Sequence, residues 1–296
     1  IITKLKKGTV PTKAFEHSIP DWLVETLEKE LGENWEKEMI ALNEQAPTIL
    51  RANSLKTSTK HLIEELKHEN VESFQVPGFE NAVQLEEKKN VFLTSAFKDG
   101  FFEVQDAGSQ KIGEFLDVKP GMRVVDACAG AGGKTLHLAA LMENKGQIIA
   151  MDIHGWKLAE LKRRAKRAGA HNIETREITD NKVIKRLHEK ADRLLIDAPC
   201  SGLGVLKRNP DSKWKIDQDF IDRIRKEQET ILQDYSKIIK KGGKMVYATC
   251  SILPSENNEQ VENFLKNNPD FKLVKEEKVM PSTGFDGFYM ALIERV

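Results

Sequence analysis

Cysteine is scarce in this 296-residue chain. Its three copies, Cys128, Cys200 and Cys250, form no Cys-x-x-Cys pair and have no histidine couple nearby. That excludes a zinc site of ordinary spacing and a disulfide framework. An odd, sparse set of thiols fits a reducing cytoplasm. No apolar run approaches the roughly 20 residues that span a bilayer, and no charged start precedes an apolar centre as in a secretory signal. Internal repeats and low-complexity tracts are missing as well. The chain opens Ile-Ile-Thr without methionine, as a fragment or trimmed chain would. Net charge is also absent, because 46 Lys and Arg balance 46 Asp and Glu. A zero sum argues against a polyanionic partner only where the charges are evenly spread.

They are not evenly spread. Residues 157–167 carry Lys157, Lys162, Arg163, Arg164, Lys166 and Arg167 against Glu160 alone. Lys207, Arg208, Lys213 and Lys215 have Trp214 among them, and the first thirteen residues hold four lysines and no acid. Each cluster taken singly reads equally well as a solvated face. Three together favour a polyanion.

The length suits a large and a small domain. Apolar spacing predicts two amphipathic helices within 20–45, through Trp22, Leu23, Leu27 and Leu31, then Trp35, Met39, Ile40 and Leu42. A strand follows at 47–53, then a helix opened by Thr57-Ser58-Thr59-Lys60 with a hydroxyl cap. Short extended segments are expected around 71–75, 82–85 and 101–105. The resulting division is a helical segment at 1–46, a small α+β unit at 47–105 and a large unit at 106–296. In the large unit, strands at 123–126, 147–152, 173–178, 193–197 and 243–249 alternate with helices at 107–116, from 133, and at 155–169, 181–189, 218–240 and 255–267. Strands at 271–277 and 288–295 close the chain. Such alternation means an α/β fold with a doubly wound parallel sheet, which binds ligands beyond the carboxyl ends of its strands.

A glycine loop, Asp126-Ala-Cys-Ala-Gly-Ala-Gly-Gly-Lys-Thr135, falls at one such end. Gly133-Lys134-Thr135 ends like a phosphate-binding P-loop, yet that motif needs glycine where Cys128 stands. Dinucleotide binding needs a third glycine where Thr135 stands. Asp152, at the tip of the next strand, has acceptor oxygens for both hydroxyls of a ribose, although a helix cap is the ordinary alternative. Asp180 follows the third strand, near where a base would lie. A nucleoside across these strand ends without a pyrophosphate describes S-adenosylmethionine.

Two further strand ends carry thiols in tight polar turns, Asp197-Ala-Pro-Cys200-Ser-Gly202 and Ala248-Thr-Cys250-Ser251. Paired thiols beside a ligand loop point to covalent chemistry on a substrate; two core cysteines are the bland alternative. With these residues the chain resembles the Nop/Sun-type RNA cytosine-C5 methyltransferases, in their RsmB-like bacterial branch. The likeness extends to Leu50–Lys56, Val104–Gln110 and Lys207–Trp214, and departs at Ala131, where the family usually carries proline.

The resemblance implies a Rossmann-like seven-stranded methyltransferase sheet preceded by an RRM-like small domain. It implies an S-adenosylmethionine site built from Cys128, Ala129, Gly130, Ala131, Gly132, Gly133 and Lys134 with Asp152, Asp180 and Asp197. It makes Cys250 the nucleophile and Cys200 the thiol that assists product release; DNA-type cytosine methyltransferases resemble the reverse case, so chemistry alone leaves the two roles open. Asp197 is expected on the N3 and N4 edge of the cytosine, with Lys134 beside it. Arg51, Asn53, Arg208 and Lys213 are expected to contact RNA, with 16S ribosomal RNA preferred as substrate and transfer RNA second. A cytoplasmic monomer without metal or membrane contact completes the expectation. The alternatives from other classes are a P-loop nucleotide hydrolase and a non-catalytic RNA-binding protein.

Overall fold

The computed structural model describes residues 12–296. Lys4, Lys6 and Lys7 of the N-terminal basic cluster lie outside the described residues. The small sheet comprises β1 (Ile49–Ala52), β2 (Ser73–Gln75), β3 (Ala82–Leu85) and β4 (Phe102–Val104). Its order is β2-β3-β1-β4, with every pair antiparallel. One helix, Thr59–His68, connects β1 to β2, and short helical turns connect β3 to β4, which is the ferredoxin-like β-α-β-β-α-β arrangement. Ser58 caps the long helix as expected, its Oγ accepting from the His61 N–H at 3.2 Å.

The large sheet comprises β5 (Arg123–Asp126), β6 (Gln147–Asp152), β7 (Ile173–Glu177), β8 (Ala191–Asp197), β9 (Ile239–Thr249), β10 (Phe271–Val279) and β11 (Phe288–Arg295). Their order is β10-β11-β9-β8-β5-β6-β7, with β11 antiparallel to both of its neighbours. Alternate residues feed two cores. Val124, Ile148, Leu195 and Val246 pack on one face, while Val125, Ile149, Ile196 and Tyr247 pack on the other. Burial on both faces explains why these strands read as nearly continuous apolar runs. Each such side chain contributes about 1.5–3 kcal/mol when fully buried.

Boundaries differ from expectation at the helix Asn181–Lys185, which is shorter than 181–189, and most at the end of the long helix. The long helix spans Gln218–Tyr235 and β9 starts at Ile239, not Gly243. Ile238 and Ile239 are fully buried and Ile239 pairs with Ala191, so the chain turns into the sheet early. The Gly242-Gly243 pair falls inside the strand, where the pairing with β8 shifts register. The helices Asp21–Leu31 and Trp35–Leu42 pack Leu23, Leu27 and Met39 against Leu203, Ile221 and Leu253 of the large unit. No helix among the described residues is long and apolar enough to cross a membrane.

Candidate active site and cofactor cavity

Strand order reverses at β5, with β6 on one side and β8 on the other, which opens a crevice beyond their carboxyl ends. A cavity of about 280 Å³ lies there, lined by Cys128 and Gly130 after β5, Asp152 to His154 after β6, and Asp197 and Pro199 after β8. Gly130 has φ +54° and open space where a Cβ would stand, so bare backbone faces the ligand. Gly132 serves packing instead. At φ +90°, a Cβ there would lie 2.6 Å from the Leu161 Cγ of the basic helix. Gly133 and Lys134 open the following helix, and Ala129 is buried beneath the loop.

Asp152 is 7% exposed. Its Oδ2 accepts from the Gly130 N–H at 2.9 Å and its Oδ1 from the His154 N–H at 2.8 Å. It thereby ties the glycine loop to the tip of β6, and each oxygen retains a lone pair for a ligand. Asp180 stays off the cavity wall, where Ile178 stands instead. It is exposed, and its Oδ1 accepts from the Lys182 N–H at 2.7 Å to cap Asn181–Lys185. Glu227, Ile231 and Tyr235 form the remaining wall. Sequence reasoning missed these three, although their four-residue spacing puts an acid, an aliphatic and an aromatic side chain on one helix face. The residues present fit a nucleoside cofactor of sulfonium type. Ile153, Ile178 and Ile231 offer apolar walls for a base, and Asp152, Asp197 and Glu227 offer carboxylates for hydroxyl and amino groups. Burial first, then the surrounding carboxylates, push the Cys128 thiol well above its usual range.

The two turn cysteines meet. The pairing of β8 with β9 sets Asp197 opposite Ala248, and beyond that point the Cys200 and Cys250 Sγ atoms lie 3.3 Å apart as free thiols. The hydrogen bond to Cys250, followed by burial, pushes the Cys200 thiol well above its usual range. Next to them the Lys134 Nζ lies 2.7 Å from the Asp197 Oδ2, with both side chains more than two-thirds buried. Burial opposes the ammonium charge, and the Asp197 carboxylate outweighs it, leaving Lys134 raised and protonated.

Glu256 holds this pair of turns together and was not legible in sequence. Fully buried, it accepts from the Ser201 N–H at 2.8 Å and from the Ser251 hydroxyl at 2.6 Å. It also accepts from the Ser201 hydroxyl and from the Gln228 amide, the latter at 3.0 Å. Each serine follows a site cysteine directly.

Three of the expected RNA contacts are corrected by their burial. Arg51 is 2% exposed and donates to the Gly133 carbonyl at 2.8 Å and to Gln105. The Asn53 amide donates to the Gly100 and Ala168 carbonyls, each at 2.8 Å. Both residues fasten the small sheet, Arg51 to the glycine loop and Asn53 to the basic helix. Lys213, 5% exposed, donates to Asn43 at 3.1 Å and is shifted down by burial. Arg208 remains partly exposed but is clasped by the carboxylates of Asp106 and Asp286.

The fold and crevice define the class as a methyltransferase-type Rossmann-like domain behind a ferredoxin-like one. Residues 114–293 match the sequence model for 16S rRNA methyltransferase RsmB/F, and residues 19–92 match its ferredoxin-like domain. The chain belongs to the RsmB/F family. Ribosomal RNA small subunit methyltransferase B of Proteus mirabilis is 33% identical over 279 residues, covering 93% of this chain and 65% of that protein. Its namesake from Yersinia enterocolitica is 35% identical over 289 residues, covering 93% and 66%. The chain thus spans just under two thirds of the length of these relatives. Among solved structures, PH0851 superposes with a TM-score of 0.92 at 31% identity, covering 98% of this chain and 70% of that one. A methyltransferase homolog protein from Pyrococcus horikoshii does so at 0.84 and 26%, covering 96% and 98%.

Proposed function

We propose that this chain transfers a methyl group from S-adenosylmethionine to carbon 5 of a cytosine in 16S ribosomal RNA through a covalent cysteine adduct. The observation that carries the reading is the pair of thiols 3.3 Å apart at neighbouring strand ends, beside the buried Lys134–Asp197 pair and the crevice. The family description supports the choice of 16S RNA. The missing P-loop glycine, with Cys128 in its place, weighs against a nucleotide hydrolase.

Carbon 5 of cytosine is too weak a nucleophile to take a methyl group unaided. The Cys250 thiolate adds to carbon 6, forming the S–C bond while the C5=C6 electron pair moves to carbon 5. S-adenosylmethionine, when bound, supplies the electrophilic methyl group that carbon 5 takes up. Loss of the carbon 5 proton to a base then returns the electron pair to the C5=C6 bond and expels the thiolate. Cys200, held protonated against Cys250, assists that release. Asp197 holds the N3 and N4 edge of the base, and Lys134 fixes the carboxylate in place. Residues 106–296 carry the chemistry in this reading, 47–105 form the small RNA-facing unit and 1–46 the helical segment. The base must leave its stack to reach the thiols, at a cost of about a few kcal/mol.

The test is methyl incorporation into a 16S transcript by the parent and two variants. Cys250→Ala is expected to abolish transfer, and Cys200→Ala to accumulate an RNA–protein adduct seen as a shifted gel band. An adduct from Cys250→Ala alone reverses the two roles, and a parent that transfers no methyl group refutes the reading.

A further inference from the structure

A second hollow, of about 640 Å³, lies between the edge strand β4 and the basic helix Gly155–Ala168. It ends on Ala131, the neighbour of the Gly130 that faces the cofactor cavity, so the glycine loop divides the two. Its floor is charged but satisfied. Glu103, 4% exposed, pairs with Arg164 at 2.8 Å and Arg167 at 2.5 Å. Arg164 also donates to the Ala131 carbonyl at 2.7 Å, and the Arg167 guanidinium stacks 3.8 Å from the centre of the Phe97 ring.

The walls are different. Phe92 is 54% exposed, its ring braced edge-on against Phe97 with centroids 5.0 Å apart. Val104 beside it is 37% exposed. On the helix side the Arg163 side chain is 79% exposed and pairs with Glu160, also on the wall, at 2.7 Å. The helix carries six cations against Glu160 over residues 157–167, although the whole chain is neutral. An exposed, braced phenyl facing an exposed guanidinium is a combination that holds unpaired nucleotides, the ring stacking a base and the cation meeting a phosphate. A duplex keeps its bases stacked inside and offers none to Phe92.

We propose that this cleft binds an unpaired RNA segment flanking the target base, with Phe92 as the stacking platform and Arg163 as the phosphate contact. The proposal rests on the RNA methyltransferase reading above. The probe is a fluorescein-labelled, unstructured 20-nucleotide RNA, titrated by anisotropy between 50 and 200 mM salt. Phe92→Ala is expected to weaken binding roughly fivefold or more at an unchanged salt dependence. Arg163→Gln is expected to flatten the log–log salt slope by about 0.7. Both residues are exposed, and calorimetry with S-adenosylmethionine should return the parent affinity, verifying the fold. If the parent methylates 16S RNA while both variants bind the oligonucleotide as it does, or if the parent ignores the oligonucleotide, the cleft assignment is overturned and the reaction stands. If a polyglutamate peptide competes as well as the RNA, the cleft belongs to an acidic protein. A parent that neither methylates nor binds RNA overturns both readings together.

Discussion

Glu256 is the residue whose replacement most directly tests how the two cysteine turns are held. Its Oε1 accepts from the Ser201 and Ser251 hydroxyls, and its Oε2 accepts from the Ser201 N–H and the Gln228 amide. Gln228 cannot turn its amide around to help, because its Nε2 also donates to the Pro199 carbonyl at 2.9 Å. Glu256→Ala removes the acceptor of four buried donors. Each orphaned group costs about 1–3 kcal/mol, and partial relaxation leaves a net loss of about 4 kcal/mol. Against a total stability of about 5–15 kcal/mol, that is a large fraction. Glu256→Gln behaves differently. If the new amide oxygen takes the Oε2 position, the two N–H donors keep their acceptor. The new NH2 group then meets two hydroxyls, which rotate from donating to accepting. The expected cost is about 1 kcal/mol. Urea unfolding of the three proteins measures the difference, and methyl transfer at a temperature where all remain folded should follow the same order, Gln near the parent and Ala far below it. Equal losses for Gln and Ala would mean that charge, and not acceptor geometry, holds the turns. A loss below 1 kcal/mol for Ala would remove Glu256 from the clasp altogether.

Two carboxylates give further expectations. Burial raises Asp126 to about 7 from the ordinary 3.8, against the opposing hydrogen bond from Thr135. Between those values the folded chain keeps a proton that the unfolded chain has lost, so stability falls as pH rises, by up to about 1.4 kcal/mol per pH unit. Asp126→Asn removes that titration, and its stability relative to the parent should improve by about 3 kcal/mol from pH 5 to pH 8; a constant difference contradicts the assignment. Asp152→Ala frees both the Gly130 and His154 N–H groups and removes the expected ribose acceptor, so S-adenosylmethionine affinity by calorimetry should drop at least tenfold. Unchanged affinity removes Asp152 from the cofactor site.

Strand ends were legible because every parallel strand of the large sheet terminates on the same side. Cys128, Cys200 and Cys250 could therefore be placed near one another from alternation alone. That two of the thiols touch was not legible: the pairing of β8 with β9 brings Cys200 and Cys250 together, while Cys128 faces the cofactor cavity. Asp180 caps the helix after β7 through its Oδ1, since an acid after a strand serves equally well as a ligand or as a cap. Arg51 and Asn53 misled for a larger reason. β1 is buried at all four positions, since the second face of the small sheet is covered by the large unit. A four-residue strand does not record whether another domain will cover it.

The basic helix shows the same limit. Leu158, Leu161, Ala165 and Ala168 mark its inward stripe at helical spacing, and this was readable. Arg164 and Arg167 flank that stripe on the side where β4 docks, so their charges are consumed by Glu103. Lys162 and Lys166 lie around the other flank and stay in solvent. Periodicity fixes which stripe is buried, but nothing in the helix says which flank meets a second domain. The cations of one cluster thus divide into those that fasten the two units together and those left at the surface, and the division is set by a glutamate more than fifty residues away in the chain.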